Sequence, residues 1–128
     1  MPLMDVDFYN RITARYGQAA TDDFLRYFML PGMGHCSGGV GFSRIGGATG
    51  APLKDDPDHS MVKALDAWVR KDAAPSLFIA AQVKDGKVSA TRPVCRYSLE
   101  ARYLGRSQAT EARNFVCRVP EPLPPQPM

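Results

Sequence analysis

The sequence predicts an α/β domain, on three observations. Apolar residues recur at helical spacing in two separate stretches, a short aromatic and aliphatic run lies between them, and an Asp-Gly pair joins two further runs rich in strand-forming residues. One core is expected from 128 residues, because a hydrolytic α/β enzyme built on a single sheet needs about twice that length.

The first helix is predicted from Met4, Phe8, Ile12 and Tyr16, each four residues after the last, with Gly17 as its stop. A polar turn, 18–23, leads to Phe24-Leu25-Arg26-Tyr27-Phe28-Met29-Leu30. One charge in that run suits a strand buried on both faces, as in a parallel sheet. Pro31-Gly32 ends it and opens a long loop, 31–58, with glycine at 32, 34, 38, 39, 41, 46, 47 and 50. Met61, Val62, Leu65, Trp68 and Val69 form the stripe of an amphipathic helix ending near Ala73-Ala74-Pro75. Trp68 reads as a core anchor on that stripe, and His59, beside Asp58 and Ser60, as a solvated residue at the helix start. Leu77–Val83 and Lys87–Thr91 are the two strands of a hairpin turned at Asp85-Gly86. Beyond Pro93 the pattern is irregular, with Cys95, Tyr97, Tyr103 and Cys117 as anchors. Five prolines in the last nine residues predict an extended tail.

Composition excludes several classes. With 45% hydrophobic and 23% charged residues the chain is globular in make-up, and no apolar run reaches the length of a membrane span. Its net charge of +3 is spread along the chain, so nucleic acid is not an expected partner, and with no span-length apolar run neither is a membrane. The N-terminus lacks the basic and apolar regions of an export signal.

Cys36, Cys95 and Cys117 contain no C-x-x-C pair, and with only His35 and His59 beside them the spacing suits no structural zinc site. Should Cys95 and Cys117 pair, Cys36 is either free or awaits a partner that this chain does not contain. His35 sits in Pro31-Gly32-Met33-Gly34-His35-Cys36, immediately after the expected strand, where α/β enzymes present catalytic side chains. On context alone the plainer reading, a loop histidine bonding locally, has the better claim.

Resemblance changes that balance. The run from Phe24 to Cys36 is similar to the histidine-bearing segment of the tannase and feruloyl esterase family of α/β hydrolases. The similarity continues at Ala64-Leu65-Asp66-Ala67-Trp68-Val69, at Thr91-Arg92-Pro93-Val94-Cys95-Arg96-Tyr97, at Ala101-Arg102-Tyr103-Leu104-Gly105 and at Asn114-Phe115-Val116-Cys117. The resemblance implies the C-terminal portion of an α/β-hydrolase fold: helix, buried strand, catalytic-histidine loop, amphipathic helix and terminal hairpin, without most of the central sheet and without the lid. It assigns 1–118 to that portion and leaves 119–128 as a Pro-rich disordered tail. It makes His35 the catalytic base of a Ser-His-Asp triad, pairs Cys95 with Cys117, and gives Cys36 a disulfide to a cysteine outside this chain. It implies no cofactor in this chain, because the family's calcium site would lie in the absent lid, and a periplasmic or secreted location.

The nucleophile and the acid are not found. Cys36-Ser37-Gly38-Gly39 superficially resembles the family's nucleophile segment, but Ser37 follows a loop histidine and not a strand. Ser43 fails G-x-S-x-G because Ile45 occupies the last glycine's place. Asp5 and Asp7 read as first-turn residues suited to the helix dipole. The expectation is therefore a carboxylic-ester hydrolase of the tannase and feruloyl esterase type, acting on esters of aromatic acids. This chain supplies only the base and is inert alone. The rival expectation is a non-catalytic truncated module, a remnant or a binder of a partner chain, that self-associates through unpaired sheet edges.

Overall fold

Helix α1, Pro2–Tyr16, carries Asp5 in its first turn and Arg15 in its last, both signs favourable to the helix dipole. The computed structural model describes residues 2–35, 38–47 and 51–122. Gly17, at φ 83°, ends α1 and starts α2, Gln18–Phe24. Here the expected polar turn proves helical. Gln18 Nε2 donates to Asp22 Oδ1 at 2.8 Å, and the Thr21 hydroxyl donates to the Gly17 carbonyl at 2.8 Å. Local i, i+4 bonding of polar side chains makes a helix where turn-forming residues suggested none. The apolar stripe of α1 also faces differently from expectation. Met4, Phe8 and Tyr16 are exposed, while Tyr9 is 5% exposed. The ring of Tyr9 lies 5.9 Å from that of Tyr27 and 5.4 Å from that of Tyr97, so aromatic packing decides which side of the helix turns inward.

The expected strand Phe24–Leu30 is corrected in the same region. Phe24 closes α2 and is exposed, and the rest is an extended run, half-buried except at the exposed Met29. Its pairing among the described residues is one antiparallel bridge, Phe28 to Arg96, with the Tyr97 amide donating to the Tyr27 carbonyl at 2.7 Å. A strand buried on both faces needs a neighbour along its whole length, and the described residues offer one residue of pairing.

Helix α3, Met61–Lys71, is capped by Ser60, whose side chain accepts from the Lys63 amide, and ends at Asp72 in the left-handed conformation. Strands β1, Leu77–Lys84, and β2, Lys87–Cys95, pair antiparallel about Asp85-Gly86, both residues at positive φ as the tight turn requires. Strand β2 runs four residues past Thr91, through Pro93. Ile79 faces Pro93, yet the Ile79 amide points outward to the Asp58 carbonyl at 2.7 Å. The pair is therefore a non-hydrogen-bonded one, where a missing N–H costs the ladder nothing. The long loop covers the outer edge of β1: Arg44 and Ala81 exchange backbone bonds of 3.1 and 2.9 Å. The region expected to be irregular contains a second pair, β3, Glu100–Tyr103, with β4, Phe115–Arg118, registered from Glu100 opposite Arg118 to Tyr103 opposite Phe115.

The core lies between α3, the hairpin and the loop. Ile45, Ala64, Phe78, Ala80 and Val94 are buried together, with Phe28, Leu30, Phe42 and Met61 packed against them. On α3 the inward positions are Met61, Ala64 and Trp68, not the whole apolar stripe; Leu65 is 60% and Val69 78% exposed. Trp68 is half-buried beneath the Arg26 guanidinium, 5.4 Å from its ring centre, and does not share a buried stripe with Leu65 and Val69.

Candidate active site

The glycines after Leu30 make a closed loop. The Gly41 amide donates to the Gly32 carbonyl at 2.9 Å, and the Gly34 amide to the Gly38 carbonyl at 3.0 Å. Both bonds draw the chain back on itself around His35, which is exposed at the far end. His35 is thus flanked by hydrogen-bonded backbone at Gly34 and Gly38 and is reachable from outside. Below the loop lies a cavity of about 560 Å³, with Leu30, Gly32, Phe42, Val94, Tyr97 and Leu99 in its walls. Arg92 also faces it. Its guanidinium lies 5.0 Å from the centre of the Phe42 ring and 3.9 Å from that of Phe115, and its Nε is buried without a hydrogen-bond partner among the described residues.

The other candidate residues fall in different places. Cys36 and Ser37 lie outside the described residues. Cys95 and Cys117 form a disulfide, Cα to Cα 5.7 Å, joining β2 to β4. Ser43 precedes the bridge residue Arg44 and a turn at Gly46-Gly47, so no strand-to-helix elbow presents it. Asp5 lies in the first turn of α1 and Asp7 pairs with Arg11 on the exposed face. His59 is not the solvated residue expected: its side chain is 12% exposed and its Nδ1 lies 2.6 Å from Asp56 Oδ1. That hydrogen bond from His59 holds the Asp56 carboxyl below its ordinary range.

Comparison with known proteins decides what this loop belongs to. A model of the family described as tannase and feruloyl esterase matches residues 1–118. The chain belongs to the tannase and feruloyl esterase family. It is 40% identical over 104 residues to an uncharacterized esterase of Xanthomonas campestris pv. campestris, covering 77% of this chain and 18% of that protein. It is 35% identical over 99 residues to feruloyl esterase C of Talaromyces stipitatus, covering 75% and 19%. Its structure superposes on the crystal structure of feruloyl esterase B from Aspergillus oryzae with a TM-score of 0.78 at 27% identity, over 89% of this chain and 23% of that one. The fold is that of part of an α/β hydrolase, and the chain spans about a fifth of the length of the curated relatives it matches.

Within this esterase-family chain a charged cluster escaped the sequence reading. Arg96 Nη1 donates to Asp22 Oδ2 at 2.8 Å, and Arg26 Nη1 lies 3.1 Å from Asp22 Oδ1. Arg26 Nε reaches the Pro75 carbonyl at 3.2 Å. The cluster ties α2, the extended run, the segment after α3 and the residue that follows β2 to one another, and Arg26 lies in the run that leads into the His35 loop. Asp22 and Arg26 stand at helical i, i+4 spacing, which was readable; Arg96 is 74 residues away, which was not.

Proposed function

We propose that His35 is the general base and acid of a carboxylic-ester hydrolase that cleaves esters of aromatic acids. The observation that carries this reading is an exposed histidine held by a closed glycine loop inside a segment that belongs to the tannase and feruloyl esterase family. The imidazole takes the proton of a serine hydroxyl as that oxygen bonds to the ester carbonyl carbon. It returns the proton to the departing alcohol as the carbon–oxygen bond breaks, and repeats the exchange with water to release the acid. The serine and the orienting aspartate come from sequence other than the residues described above, and this chain alone is inert because members of a triad act as a unit. The Cys95–Cys117 disulfide supports a periplasmic or secreted location.

The experiment is a chimera in which this chain replaces the matching segment of feruloyl esterase B from Aspergillus oryzae, assayed on methyl ferulate. His35→Ala is expected to lower kcat by about 10⁴-fold or more with the fold intact by circular dichroism. A variant that keeps a tenth of the parent rate removes His35 from the triad.

A further inference from the structure

Gly39 and Gly41 stand at the neck of the loop, on the strand of backbone that returns from His35. A side chain at either would strike backbone, which no rotamer change can relieve. A Cβ on Gly39 would lie 2.2 Å from the Gly32 carbonyl oxygen and 2.7 Å from the Gly34 nitrogen; a Cβ on Gly41 would lie 2.2 Å from the Pro31 carbonyl oxygen. The atoms struck from position 39 are the closing atoms themselves, and a Cβ at 41 meets Pro31 O and the Gly32 Cα and carbonyl carbon next to them. Gly32 O accepts the Gly41 amide, and Gly34 N donates to Gly38 O. A methyl group at 39 therefore occupies the space through which both bonds are made. Normal contact needs roughly 1 Å more than these distances, and the loop must open by about that amount to accept one.

We propose that Gly39 and Gly41 are positioning residues for His35, keeping the neck closed so that the imidazole is held at its working place. The proposal rests on the reading of His35 as base. The two positions, with a third, separate strain from contact. Gly38, at φ +66°, has nothing within 4 Å of an added Cβ; Gly41 has the contact without a left-handed φ; Gly39, at φ +97°, has both. If glycine served only the conformation of the turn, Gly38 and Gly39 would matter and Gly41 would not. If the vacant space closes the neck, Gly39 and Gly41 matter most.

The test has two parts. In the 128-residue chain, amide hydrogen exchange followed by NMR is expected to be slowed at Gly34 and Gly41, with that protection lost in Gly39→Ala and Gly41→Ala and kept in Gly38→Ala. In the chimeric esterase, Gly39→Ala and Gly41→Ala are expected to lower kcat by about 100-fold while KM stays within about threefold, the signature of a misplaced group and not of lost binding. Gly38→Ala should cost no more than about tenfold, in keeping with strain alone. Unprotected amides at Gly34 and Gly41 in the parent chain overturn the closure, whether or not the variants fold. A Gly41→Ala enzyme with the parent's kcat overturns the positioning role. Full activity in His35→Ala instead overturns the base assignment and leaves the exchange pattern standing, so the two failures are distinguishable.

Discussion

The Asp22 carboxylate, 22% exposed, meets two guanidinium groups at once, and the balance of forces on it can be worked out. Partial burial pushes its carboxyl up, but hydrogen bonds from Arg96 and Gln18 and the charges of Arg26 and Arg96 outweigh that, holding it below the ordinary carboxylate value. The unfolded chain then binds more protons than the folded one across the window between the two values. Its contribution to stability is thus fully present above about pH 4 and is lost as the pH falls through the folded value. Asp22→Asn is expected to cost about 2 kcal/mol in urea unfolding at pH 7, the worth of hydrogen bonds to a charged group, and the gap from the parent should narrow near pH 3. An equal gap at both pH values would mean that Asp22 acts by shape and not by charge. At this scale the sequence was partly legible. His35 stood out because its loop and flanking motif are local, whereas the partners of Asp22, and the atoms that Gly39 and Gly41 approach, are set by how distant backbone returns.

At the scale of elements, periodicity located both long helices within a few residues but misjudged which side faces inward. In α3 the apolar stripe is wide, and the core takes the edge holding Met61, Ala64 and Trp68, where small Ala64 lets the helix approach the hairpin. Val62, Leu65 and Val69 remain exposed. A helical pattern states that a face is apolar without stating what meets it, and the chain spans about a fifth of its relatives' length. Replacing Leu65 and Val69 with Gln is therefore expected to change unfolding free energy by no more than about 0.5 kcal/mol. We propose that this face and the open edge of 25–30 drive self-association of the isolated chain. The same double variant should lower the mass measured by light scattering at high concentration, and an unchanged mass would exclude the α3 face. Ala64→Leu is the contrast, overpacking a buried position at roughly 1–3 kcal/mol.

At the scale of the whole molecule, the hairpin and the β3–β4 pair are each two strands wide, a size that is marginal in isolation. The hairpin is sealed to α3 and the long loop by the apolar core, but β3 and β4 contribute no residue to that buried cluster. Their hold on the rest comes from side-chain and backbone contacts at the edge of β2, such as the Thr91 amide to the Thr110 carbonyl at 2.8 Å, and from the Cys95–Cys117 bond. The cysteine count alone left this pairing open; the family motifs implied it, since nothing local in the sequence tells which of three thiols meet. With 22 residues of separation, closing the loop should stabilise the fold by roughly 3 kcal/mol, chiefly by restricting the unfolded chain. For a chain of this size that is a fall in Tm of about 10 °C on reduction or in the Cys95→Ala/Cys117→Ala variant. Because the core cluster does not depend on the bond, NMR of the reduced chain at low temperature should lose protection first in β3 and β4 and retain it in β1 and α3. A reduced chain melting within about 2 °C of the oxidised one would mean that the contacts along β2 hold the second sheet without the covalent tie.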